Sequence, residues 1–143
     1  MKRNRVILIA GAVLGLTAIG ATQVGQILKA GGVFLVVKTF GRDINNAMNK
    51  LASHKDNDRE ATKVVPILSG GINGRKAIGA AQVIGPKSQV DKVQAVAQLD
   101  QDILGGEVKI RVMIPIESKD VIRDLRRVEG VGVSGIVDLK IRI

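Results

Sequence analysis

The chain has 143 residues, carries a net charge of +9 and contains no cysteine, tyrosine or tryptophan, with Phe34 and Phe40 its only aromatic side chains. Disulfide frameworks, thiolate metal sites and thiol nucleophiles are thereby excluded, as is an aromatic platform for stacking single-stranded nucleic acid. The basic balance favours an anionic surface, whether phospholipid head groups, wall polymers or nucleic acid, and the lack of interleaved aromatics makes nucleic acid the weakest of the three.

Residues 1–22 begin with Lys2, Arg3 and Arg5, continue through an uncharged apolar run over residues 6–16, and end in the small residues Ala18, Gly20 and Ala21. A basic start, a short apolar core and a small-x-small exit are the parts of a cleavable secretory signal. Retention as a membrane anchor is the alternative, because no charge intervenes between Arg5 and Lys29. Either way, the remainder is expected to face outside the cytoplasm, in the periplasm, at the cell surface or beyond.

Over residues 24–53 the apolar positions fall on a helical period, with Val37, Phe40, Ile44, Met48 and Leu51 on one side. Lys38, Arg42, Asn45, Asn46, Asn49 and Lys50 lie opposite, and Gly31-Gly32 is the expected place for a kink. Such a stripe must be covered, either by a membrane surface or by protein: a partner helix, a second copy of the chain, or the chain's own sheet. Residues 54–61 contain one apolar residue, Ala61, and are expected to form a polar linker; His54, the sole histidine, has no second histidine or cysteine with which to build a metal site.

Residues 62–143 read as a β-rich domain. A first strand starts at Thr62, with Pro66 expected at an edge or bulge, and the turn Gly70-Gly71-Ile72-Asn73-Gly74 leads into a return strand. Ser88, with Asp91 three residues on, is expected to cap a short helix, and a further strand carries Asp100 and Asp102 on one face before Gly105-Gly106 turns the chain. From Glu107 on, Val108, Ile110, Val112, Ile114 and Ile116 alternate with Lys109, Arg111, Met113 and Pro115, the pattern of a strand with one buried and one wet face. A second short helix is expected after Ser118, followed by a closing strand that alternates at Val137, Leu139, Ile141 and Ile143.

Few residues form a constellation with chemistry in it. Arg123, Arg126 and Arg127 would share a face of that second helix and could clamp a phosphate or carboxylate, although Asp120, Asp124 and Glu129 are close enough in sequence to neutralise them. Gly130-Val131-Gly132-Val133-Ser134-Gly135 spells G-x-G-x-x-G but leads into a strand, so it reads as a turn or bulge and no dinucleotide is implied. Asp100 and Asp102 are two carboxylates where a hard cation wants more oxygens. No catalytic residue, metal ligand or cofactor site is expected.

The stretch Gly85-Pro86-Lys87-Ser88-Gln89-Val90-Asp91-Lys92-Val93, followed by Val96-Ala97-Gln98-Leu99-Asp100 and the closing alternation at Val137, Leu139 and Ile141, resembles one YbbR-like repeat. That resemblance spans about residues 64–143, with residues 85–93 its specific part. It implies an extracytoplasmic, β-rich module behind a single N-terminal membrane segment; some such proteins regulate a membrane-bound cyclic-dinucleotide synthase.

The expected fold class is thus α+β: N-terminal hydrophobic and amphipathic helices, then a small, mainly antiparallel β-rich domain with one or two short helices. The expected role is non-enzymatic binding or self-assembly at the cell envelope, with a membrane or protein partner and a homo-oligomer in view. A structural subunit of a surface layer or filament, and a basic binder of an anionic polymer or nucleic acid, are the alternatives.

Overall fold

A computed structural model describes residues 14–69, 77–118 and 126–139. A long helix, α1 (Leu14–Leu51), precedes five strands, β1 (Glu60–Ser69), β2 (Ala77–Pro86), β3 (Ala95–Ile103), β4 (Val108–Ile116) and β5 (Gly132–Val137). A single turn of helix, α2 (Lys87–Val90), joins β2 to β3. The strands form one sheet in the order β4-β3-β1-β2-β5, antiparallel except where β1 and β3 run parallel. The architecture is α+β, with one long helix laid on a mostly antiparallel sheet.

Both faces of β1 are buried because α1 covers one and an apolar cluster fills the other. On the helix side, Val64 and Leu68 of β1 and Ala80 of β2 are buried beside Val36 and Phe40, and Phe34 packs on Leu68, Ala95, Ala97 and Ile116. On the other side Val65, Ile67, Ala81, Val83 and Val96 pack with Val90 and Val93 from the α2 connection and with Val128. Period-two alternation in β1 and β2 therefore serves two cores at once.

The helix does kink at Gly32, which leaves helical geometry at φ 70 and ψ −164, a conformation that costs glycine little. Beyond it, the stripe is turned slightly from the expected one. Val36 is fully buried and Phe40 nearly so, Val37, Ile44 and Met48 are half-buried, and Leu51 is 90% exposed. Of the uses open to this face, packing on the chain's own sheet is the one the structure takes. No helix among the described residues is long and apolar enough to cross a membrane. Residues 1–13 of the N-terminal segment lie outside the described residues, while residues 14–22 belong to α1.

Several local expectations are corrected. Pro66 lies in a central strand, opposite Ala80 of β2; it is tolerated because β3 pairs with β1 only from Ile67 onward, next to an irregularity at Ile67 and Leu68. Ser88 sits inside α2 and no side chain caps that turn; the first turn instead carries a Lys87–Asp91 pair at 3.5 Å. The polar segment after α1 is folded rather than free. Asn57 Oδ1 accepts from the amides of Arg59 and Glu60, and Asp56 reaches Thr62. The glycine turn of residues 70–74 lies outside the described residues.

Candidate interaction surface

The most unusual surface arises from a mismatch of strand lengths. β3 and β4 pair along their whole length, from Ala95 opposite Ile116 to Ile103 opposite Val108, but β1 holds β3 only at Val96, Ala97 and Gln98. Past Gln98, β3 and β4 continue, among the described residues, as a two-stranded arm whose tip is the turn Leu104–Gly106, with Leu104, Gly105 and Gly106 all at positive φ.

Residues directly opposite in an antiparallel pair share a face. One face of the arm therefore carries Leu99 with Val112, Gln101 with Ile110, and Ile103 with Val108. The other carries Asp100 with Arg111 and Asp102 with Lys109. The charged face is in order: Arg111 Nε donates to Asp100 Oδ1 at 3.0 Å, and this hydrogen bond, helped by the charges of Arg111 and Lys109, holds the Asp100 carboxyl below its ordinary value of 3.8. The apolar face is open to solvent, with Val108 39%, Ile110 41% and Val112 45% exposed and Leu104 73% exposed at the tip. The alternation over residues 107–117 is real, but its apolar series reaches a core only at Ile114 and Ile116, while Met113, expected on the wet face, packs on the cluster of Val65, Val83 and Val96 on the other side of the sheet. Expected burial of Val108, Ile110 and Val112 fails because no element among the described residues lies over them; α1 packs chiefly on β1 and β2.

At the opposite end of the molecule, a polar network locks α1 to the sheet. Thr62 and Gln82 are the buried polar residues among those described, at 9% and 4% exposure. Asn45 Nδ2 and Asn49 Nδ2 both donate to Thr62 Oγ1, at 2.9 and 2.8 Å, and the same hydroxyl donates to Asp56 Oδ1 at 2.8 Å. Gln82 Nε2 donates to Asn45 Oδ1 and Asn49 Oδ1, while Gln82 Oε1 accepts from Ser134 Oγ at 2.8 Å. Ser134 reaches it because it is the extra residue of a β-bulge: Gln82 pairs with Gly135 and Val83 with Val133. Beside it, Met48 of α1 lies over Gly135, where a Cβ would come within 2.5 Å of its terminal methyl. Each polar atom finds its complement, so the network fixes the helix register and leaves no group free for chemistry.

The remaining candidates are dispersed. His54 Nε2 lies 3.2 Å from Asp56 Oδ1 but without hydrogen-bond geometry, at the margin of the network. Arg126 and Arg127 are not helical: Arg127 bridges to Ile116, and consecutive residues of an extended segment point to opposite sides, so the two do not form a shared clamp. Arg126 lies 3.7 Å from Glu117 and Arg127 lies 3.8 Å from Glu129; Arg123 lies outside the described residues. A shallow cleft of about 770 Å³ runs between α1 and β1, floored by Phe34, Val64 and Pro66. Lys63 at its rim is committed, donating to the carbonyl of Val93 at 2.7 Å.

Sequence reasoning missed Leu99 and Ile103 as partners of Val108, Ile110 and Val112. The signal was present in the charges: Asp100 and Asp102 before Gly105-Gly106, Lys109 and Arg111 after it, specify the register that puts the apolar residues together. No protein-family model matches the chain, and no curated protein or solved structure matches it either.

Proposed function

We propose that this is a non-enzymatic cell-envelope protein, directed to or across a membrane by its N-terminal segment, that acts by binding or self-assembly through the β3–β4 arm. One observation carries the reading: an uncharged apolar face, formed by Leu99, Ile103, Val108, Ile110 and Val112, on a part of the sheet with no covering layer among the described residues. A two-stranded ribbon is marginal in water on its own, and contiguous exposed apolar surface on a small protein marks a contact site. The amphipathic helix, the other candidate for that role, spends its stripe on the protein's own sheet. The placement outside the cytoplasm rests on Lys2, Arg3 and Arg5 before an apolar run, and on the YbbR-like character of residues 85–93.

The test has two parts. The intact mass and N-terminus of the protein from membrane and soluble fractions decide between a mature chain beginning near Ala21 and an anchored one beginning at Met1. Retention in its native fraction is then compared with that of the Ile110→Asp variant, which places a charge on the arm's apolar face. Loss of retention or of assembly with unchanged folding supports the reading; unchanged retention removes it.

A further inference from the structure

Resting on that reading, we infer that the arm's occupant is a second copy of this chain, and that the two arms pack face to face through their apolar sides. Three features of the arm select this arrangement. First, burial in lipid is disfavoured: beyond Gln98 the outer edge of β4 has no neighbouring strand, and hydrocarbon cannot satisfy the backbone groups of an open sheet edge. Second, pairing two β4 edges antiparallel about Ile110 sets Lys109 of each copy opposite Arg111 of the other, pairings centred on Lys109 or Arg111 set like residues against each other, and one centred on Val112 needs the edge at Ile116 that Arg127 already bridges.

Third, the arm is the place where this basic chain does not repel itself. The molecule carries +9, yet the arm's charged face balances Asp100 and Asp102 against Arg111 and Lys109, and its apolar face carries no charge. Packing face to face buries Ile110, Val108 and Val112 of each copy while all four charged residues stay in water. The face continues directly into the cluster of Ile114, Ile116, Ala95 and Ala97, so it is held in register by the body of the sheet. The dimer is expected to depend on concentration, with confinement to a membrane raising the effective value.

The chain has no native cysteine, so single cysteines report on this geometry directly. Gln101→Cys sits at the centre of the apolar face and Asp102→Cys on the charged face of the same strand. Facing sheets lie about 10 Å apart, beyond disulfide reach, so a short bismaleimide is the probe, applied to the full chain in its native fraction and in mild detergent. Face-to-face packing predicts a covalent dimer of twice the 15.2 kDa chain from Gln101→Cys, at least tenfold more abundant than from Asp102→Cys, and its loss on adding Ile110→Asp. Equal yields from the two positions, as edge pairing would give, or a Gln101→Cys adduct with a different protein, overturn the inference. If neither position cross-links while Ile110→Asp still releases the protein from its native fraction, the second copy is wrong and the assembly reading stands. If Ile110→Asp also changes nothing, both fall.

Discussion

The two ends of the sheet treat burial in opposite ways. Where α1 meets β1 and β2, polar side chains are taken out of water and each is matched: Thr62 and Gln82 are buried, with Asn45, Asn49, Asp56 and Ser134 completing them. Where β3 and β4 outrun β1, apolar side chains are left in water with nothing among the described residues over them. A satisfied buried network specifies one arrangement of helix on sheet, since any slip leaves donors and acceptors unpaired. An uncovered apolar face specifies nothing within the monomer. The first region is therefore built for internal order, and the second is the one proposed above for contact.

The comparison is broken most severely at the helix end. Phe40→Ala removes the larger of the two buried apolar side chains that α1 sets on the sheet and is expected to cost about 3 kcal/mol, read as a drop in the urea midpoint. Thr62→Val leaves the amides of Asn45 and Asn49 and the Asp56 carboxylate without their shared partner; the expected cost is about 2–3 kcal/mol, with Thr62→Ser recovering most of it. Gly135→Ala presses a methyl on the end of Met48, which can turn aside, so about 1 kcal/mol is expected. Leu51→Ala, at the exposed end of the same helix, should stay within about 0.5 kcal/mol.

The arm is sharpened by pH. Asp100 has its carboxyl pKa lowered by Arg111, so its contribution is present above the ordinary value of 3.8 and fades as pH falls through the lower, folded-state value. A carboxyl titration by NMR should find Asp100 below 3.8 and Arg111→Gln should move it up, with no change in the signals of Thr62 or Gln82 at the far end.

Much of this was legible in the residues, and the failures have a common cause. The strands, the kink at Gly32 and the bulge-like reading of the glycines before β5 follow from local rules of periodicity and backbone freedom. Neighbours across the fold do not. The helical period sets Asn45 and Asn49 opposite the apolar stripe, yet their four-residue spacing puts them on one line, and Gln82 stands alone in an apolar strand as their complement. The alternation of β4 tells which residues share a face; it does not tell whether a layer covers that face, which depended on how far β1 extends along β3. The arginines failed for a similar reason, since their helical periodicity belongs to a segment of which Arg126 and Arg127 are extended members.

Thiol labelling in intact cells tests the contrast between the two ends most directly. Gln101→Cys and Asp102→Cys are neighbours on one strand, both exposed in the isolated chain. In the native fraction a maleimide should modify Asp102→Cys readily and Gln101→Cys at least tenfold more slowly, and dilution of the purified chain should abolish the difference. Equal labelling in cells would mean that nothing covers the apolar face of the arm, and would contradict its assignment as the contact surface.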